Sequence, residues 1–181
     1  MIIVGDSLQI MQQMDDNSVD IVITDPPYDW NKSQRDKAHG EIMRVTRTGA
    51  IVFCPPENLW QYPAVQYLFW MKPVSTKNTS RKYSRFVELI LVYGDVQWHS
   101  GYHWSQYTNI FQDLVSDRKH PYAKPISMLE RLIRNHTKEN DIVLDPFMGS
   151  GTTLAASSRL NRRYIGIDID EKCAKIATAR S

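Results

Sequence analysis

Ile142-Val143-Leu144-Asp145-Pro146-Phe147-Met148-Gly149-Ser150-Gly151-Thr152-Thr153 runs from a short apolar strand through a glycine-containing turn into an alanine- and leucine-rich segment. That segment, residues 152–160, reads as a helix. Tyr164-Ile165-Gly166-Ile167 follows as a second strand ending on Asp168, and a last helix spans about Glu171 to Arg180. Working outward to the N-terminus, the rhythm repeats. Ile2-Ile3-Val4 stops at Gly5-Asp6, Ser7 is placed to cap a helix to about Met14, and Val19 to Thr24 form a further strand. Two prolines in Asp25-Pro26-Pro27-Tyr28 end that strand, because proline lacks the N–H a ladder needs. Strands alternating with helices predict an α/β fold with one doubly wound, mostly parallel sheet covered on both faces. Sheets of this kind bind ligands beyond the carboxyl ends of their strands. Asp6, Asp25, Asp145 and Asp168 all stand at such ends.

The middle of the chain is less regular. Residues 37–46 read as helix, and 49–54 as a buried strand ended by Pro55-Pro56. Tyr67 to Trp70 and Phe86 to Tyr93 read as two strands joined by a loop over residues 72–85. That loop carries Lys72, Lys77, Arg81, Lys82 and Arg85 with no acid among them, in Ser/Thr/Asn-rich surroundings suited to lying along phosphates. A solvated surface face is the alternative for such a run. Residues 94–119 are aromatic and polar without a period, and Pro125 sits as the first residue of a helix to about Asn135.

The 181 residues suffice for one core, so residues 1–181 are read as a single domain. With 42% hydrophobic and 23% charged residues the chain has a globular composition, and its net charge of +2 decides nothing. No apolar run approaches the ~20 residues of a membrane-spanning helix. Met1 leads directly into a strand rather than a signal peptide, so a cytoplasmic setting and no membrane partner are expected. Cys54 and Cys173 lack metal-ligand spacing and read as two buried thiols. His99 and His103 are four apart, but position 100 is Ser where a zincin has Glu, so no metal site is expected. Tyr93, Trp98, Tyr102, Trp104 and Tyr107 read as core or dimer surface, with base stacking as the alternative.

The glycine turn fits neither familiar phosphate loop. A P-loop places Lys and then Ser/Thr after its last glycine, whereas Thr152 follows Gly151; a dinucleotide fingerprint wants Gly or Ala where Leu154 stands. What remains is a turn whose glycines admit a ligand close to the backbone, with Asp145 able to meet a cationic or hydrogen-donating group. Asp168, 17 residues past Gly151, is placed like the ribose-binding acid of nucleotide folds. A cationic nucleoside without phosphates satisfies each part, and S-adenosylmethionine is one. The chemistry of Asp25-Pro26-Pro27-Tyr28 complements it. An adenine amino nitrogen is a poor nucleophile, and a carboxylate with a rigidly held carbonyl can take both its hydrogens and orient its lone pair. Tyr28 offers a face to a base that has left the duplex stack.

At these residues the chain resembles the beta group of amino-methylating DNA methyltransferases, in which Asp-Pro-Pro-Tyr precedes the cofactor loop. Gly5-Asp6, Trp70-Met71-Lys72-Pro73, Glu88-Leu89-Ile90-Leu91, His120-Pro121-Tyr122-Ala123-Lys124-Pro125, Asp145 to Thr153 and Gly166-Ile167-Asp168 resemble its further blocks, in its order. The resemblance spans nearly the whole chain and implies a circularly permuted, Rossmann-like, S-adenosylmethionine-dependent fold. It assigns the cofactor to Asp6, Lys124, Asp145, Pro146, Phe147, Gly149, Ser150, Gly151, Thr152 and Asp168, with Asp6 near its adenine. Asp25, Pro26, Pro27 and Tyr28 would hold the target base. Family members often pair, so a homodimer acting on DNA is expected. In the family Ser at the first motif position is commoner for cytosine, so Asp25 favours N6 of adenine. N4-cytosine methylation stays open, as do RNA or protein amide methylation and a catalytically silent DNA-binding or assembly protein. Two departures matter: only residues 94–119 are available as a recognition insert, and the segment after Asp-Pro-Pro-Tyr is brief, which together predict short or relaxed sequence specificity.

Overall fold

The computed structural model describes residues 1–56, 59–72, 87–98, 108–114 and 124–180. Their order is β1 (Ile2–Val4), α1 (Ser7–Gln12), β2 (Val19–Thr24), α2 (Lys32–Val45), β3 (Thr46–Cys54), β4 (Gln66–Met71), β5 (Val87–Gly94), β6 (Ile110–Phe111), α3 (Ile126–His136), β7 (Ile142–Asp145), α4 (Thr152–Arg159), β8 (Arg163–Asp168) and α5 (Glu171–Thr178). The strands form one eight-stranded sheet in the order β1-β8-β7-β2-β3-β5-β4-β6. β5 runs antiparallel to both β3 and β4, and the other pairings are parallel. This is the doubly wound, mostly parallel sheet that the alternation predicts.

The two faces are covered by different helices. Ile21, Ile23, Ile51 and Val143 point to one face, where Met128, Leu129, Leu132 and Ile133 of α3 and Ala156 of α4 meet them. The stripe 128, 129, 132, 133 is the spacing of an amphipathic helix with one buried side. Val22, Ala50, Val52 and Leu144 point to the other face and pack against Met11 of α1 and Ala38, Ile42 and Val45 of α2. Fully burying each large aliphatic side chain stabilises by about 1.5–3 kcal/mol, so neither layer is dispensable. α5 closes the β1 edge through Ala174 and Ala177.

Several boundaries differ from the sequence reading. α2 begins at Lys32, five residues before the expected start, because Asn31 and Gln34 form a capping box there: Asn31 Oδ1 accepts from Gln34 N at 3.0 Å and Gln34 Oε1 from Asn31 N at 3.1 Å. α1 is capped by Asp6, which accepts from Gln9 N at 2.9 Å, and not by Ser7. The Ser7 hydroxyl instead donates to the carbonyl of Pro146, tying the β1 end to the glycine turn. Pro125 is the N-cap of α3 rather than its first residue. Residues 110–111, within the stretch that shows no period, add a short strand at the β4 edge. Cys54 is buried, but Cys173 is only partly so. Among the described residues no helix is long and apolar enough to cross a membrane.

Candidate active site

β7 and β2 are neighbours, yet β7 continues through α4 to β8 on one side and β2 through α2 to β3 on the other. The crevice where successive connections diverge is where parallel sheets receive ligands. β1, β8, β7 and β2 are consecutive in the sheet, so Asp6, Asp168, Asp145 and Asp25 form a row along its carboxyl edge. All four line one cavity of about 620 Å³. The glycine turn forms one wall, through Phe147, Gly149, Ser150 and Thr152, while Pro26, Pro27, Tyr28 and Lys124 form another. Pro146 and Gly151 complete the turn behind this lining.

The turn is fixed by its own backbone. Gly149 and Gly151 both take left-handed conformations, φ 49° and 76°, which only glycine adopts at little cost. A Cβ at Gly151 would stand 2.6 Å from that of Ala177, so α5 packs there; one at Gly149 would meet nothing within 4 Å. Gly149 thus presents bare backbone to the cavity. Asp168 accepts from Gly149 N and from Asp170 N, each at 2.9 Å, locking the β8 end onto the turn. A carboxylate has about four acceptor positions, so two remain for a ligand. Asp145 is buried; its Oδ1 accepts from Thr24 Oγ1 at 2.7 Å and Phe147 N at 3.1 Å. Burial pushes its pKa up to about 6 despite those donors.

The second wall is a polar network at the end of β2. Asp25 Oδ2 pairs with Lys124 Nζ at 2.6 Å, and Oδ1 accepts from the Tyr28 hydroxyl at 2.6 Å. Lys124 also pairs with Glu88 Oε1 at 2.5 Å, and Lys72 with Glu88 Oε2 at 2.6 Å. Burial raises the pKa of Asp25, outweighing the attraction of Lys124. Burial also opposes charge on Lys124 and Glu88, but the two carboxylates around Lys124 raise its pKa, and the two lysines lower that of Glu88.

The structure therefore brings Asp25, Pro26, Pro27 and Tyr28 into one cavity with Asp6, Lys124, Asp145, Phe147, Gly149, Ser150, Thr152 and Asp168. The Lys124 ammonium is engaged by the carboxylates of Asp25 and Glu88. Lys72 is held by Glu88, so it does not project free from the basic loop. Lys77, Arg81, Lys82 and Arg85 lie outside the described residues, as do His99, His103, Tyr102, Trp104 and Tyr107. Tyr93 is core, and Trp98 is half-exposed with its ring against His136. Among the described residues no His, Cys, Asp and Glu side chains gather into a metal-binding group. Sequence reasoning gave no role to Glu88, Thr24 or Trp30. The signal for Glu88 was its single charge within an otherwise apolar strand, Val87-Glu88-Leu89-Ile90-Leu91-Val92. Trp30 follows the motif by two residues and meets Phe147 edge-on at 5.0 Å across the cavity.

A row of strand-end carboxylates at a switch point, closed by a glycine turn without phosphate-loop chemistry, has the form of a Rossmann-like nucleoside-binding site. The chain belongs to the DNA methylase family of N6/N4 type, whose profile matches residues 55–179. It is 25% identical to the Type II methyltransferase M2.LlaDCHI of Lactococcus lactis subsp. cremoris, over 97% of this chain and 87% of the relative. Among solved structures it resembles M1.HpyAVI, crystallised as its S-adenosylmethionine complex, with TM-score 0.77, 26% identity and coverage of 100% and 99% of the two chains. PvuII DNA methyltransferase, a cytosine-N4-specific enzyme, shares the fold at TM-score 0.83 and 15% identity, over 99% and 85%.

Proposed function

We propose that this DNA methyltransferase transfers a methyl group from S-adenosylmethionine to N6 of an adenine swung out of the DNA helix. The observation that carries the reading is Asp25, a strand-end carboxylate in the same cavity as the Gly149 turn. The cavity fits the cofactor: Gly149 leaves open backbone, Asp168 keeps acceptor positions for ribose hydroxyls, and the buried Asp145 suits a cationic group. When bound, S-adenosylmethionine supplies an electrophilic methyl on a sulfonium. Asp25 accepts one amino hydrogen and the Pro26 carbonyl the other, which turns the nitrogen lone pair toward the methyl and stabilises the charge that develops on nitrogen. Asp25, already the acceptor of one amino hydrogen, would be the group placed to take the proton that N6 loses on methylation and to pass it to solvent. Tyr28 supplies a ring face for the extruded base. Asp rather than Ser at position 25 favours adenine; N4 of cytosine is the second reading, since the same acceptors serve either amino group.

Asp25→Ala tests the assignment. Turnover should fall on the order of 10²–10³-fold, the loss seen on removing one preorganised transition-state partner, while cofactor affinity by calorimetry stays near wild type. Asp168→Ala should do the reverse, weakening cofactor binding first. Near-normal turnover in a folded Asp25→Ala protein refutes the role of Asp25. DNA is the proposed macromolecular substrate, a homodimer the proposed working form, and the bacterial source of the relatives fits a cytoplasmic setting.

A further inference from the structure

Glu88 is 2% exposed, the second residue of β5, and takes part in none of the steps above. Lys124 has three N–H donors, and they meet Asp25 Oδ2 at 2.6 Å, Glu88 Oε1 at 2.5 Å and the Tyr28 oxygen at 3.1 Å. The rings of Phe53, Tyr28 and Trp70 surround the same ammonium at 5.1, 5.7 and 5.8 Å, holding it in place by cation–π attraction. The Tyr28 hydroxyl stands 2.6 Å from Asp25 Oδ1 and 2.9 Å from Glu88 Oε1. One hydroxyl proton thus has two carboxylate acceptors within reach.

We propose that Glu88 is a positioning residue that keeps Asp25 free to accept the target amino group. It does so in two ways, both resting on the methyl-transfer reading above. First, it shares the Lys124 charge, so that Asp25 is not bound to a cation alone. Second, it offers the Tyr28 hydroxyl another acceptor, so Asp25 Oδ1 can be released to an incoming N–H while that part-buried hydroxyl stays hydrogen-bonded. Lys72, approaching Glu88 from the more exposed side, balances the second carboxylate. The other groups facing Asp25 leave this arrangement intact. Asp145 adds a carboxylate from β7, and the Cys54 thiol, pushed up to about 11 by burial, is uncharged at neutral pH.

The test uses two isolated substitutions with opposite expected effects. Aspartate carboxyl carbons are labelled with ¹³C, the Asp25 resonance is assigned with Asp25→Asn, and its pH titration is followed in the cofactor-free protein. In Glu88→Gln the Lys124 charge falls on Asp25 alone, so the midpoint moves down by about half a pH unit or more. In Lys72→Met, Glu88 draws Lys124 toward itself, and the midpoint moves up. In methyl transfer, Glu88→Gln lowers kcat at least about tenfold and shifts its acid limb downward, with cofactor affinity essentially unchanged. Midpoints that stay put, or move together in one direction, overturn the proposal, as does loss of cofactor affinity in step with kcat. Should Glu88→Gln not fold, the upward shift in Lys72→Met still decides, and its absence overturns the proposal. If both midpoints move as expected while wild-type protein transfers no methyl group, the methyl-transfer reading fails, and what Glu88 does to Asp25 stands by itself.

Discussion

Asp145 both ties two strand ends together and lines the cavity. Its carboxyl joins the ends of β2 and β7 through Thr24 and the Phe147 amide, yet burial holds its pKa near 6. A pKa raised above that of the unfolded chain means the folded state binds the proton more tightly. The associated stabilisation is complete below the usual carboxylate range, near pH 4, and is lost as pH rises through about 6. A cationic ligand reverses the balance, because it favours the ionised form. Cofactor affinity should therefore weaken as pH falls below about 6, approaching about tenfold per unit, with proton release on binding. Calorimetry at acidic pH in buffers of different ionisation enthalpy measures this release. Its persistence in Asp145→Asn would assign the proton to another group. Sequence position alone showed that Asp145 ends a strand. Its raised pKa comes from burial where the ends of β2 and β7 meet, against the opposing bond from Thr24, 121 residues away, and could be seen only once the two strands were side by side.

At the scale of elements, the glycine turn and helix α4 separate packing from ligand access. Gly151 and Gly149 have the same left-handed backbone but different surroundings: Ala177 crowds the first, and open cavity faces the second. Gly151→Ala should lower unfolding stability by more than the ~1 kcal/mol of backbone strain alone, since α5 must also shift. Gly149→Ala should lose only about the strain term but weaken cofactor binding more than its stability loss explains. Urea unfolding together with cofactor titration of both variants checks the contrast, and equal effects on both measurements would remove it. The strands around this turn were legible from sequence because apolar runs ending in Asp or Pro mark them within one or two residues. The start of α2 was not, because Asn31 and Gln34 cap it through a reciprocal bond that hydrophobic periodicity does not register. Glu88 was hidden for a related reason: a buried charge is intelligible only with its partners, and Lys124 and Lys72 come from distant segments.

For the whole molecule, the sheet order β1-β8-β7-β2 gathers four aspartates that are scattered from position 6 to 168 into one cavity. The alternation of strands and helices made the sheet and this convergence readable, whereas the charge network of Asp25, Lys124, Glu88 and Lys72 needed three dimensions. Residues 94–119 have few side chains to spare for reading base edges, each good bidentate contact supplying roughly 1–3 kcal/mol of discrimination. Phosphate contacts position a duplex without reading it. Modification is accordingly expected at short or degenerate sequences, with affinity that falls steeply with salt. Long-read sequencing of partially methylated DNA tests this, and a single fixed motif of five or more base pairs would refute it. The decisive measurement is identification of the product. Protein is incubated with DNA and S-adenosylmethionine carrying a deuterated methyl group, and the digested nucleosides are resolved by mass spectrometry. The predicted result is label in N6-methyldeoxyadenosine; label confined to N4-methyldeoxycytidine, or absent from DNA, would contradict it.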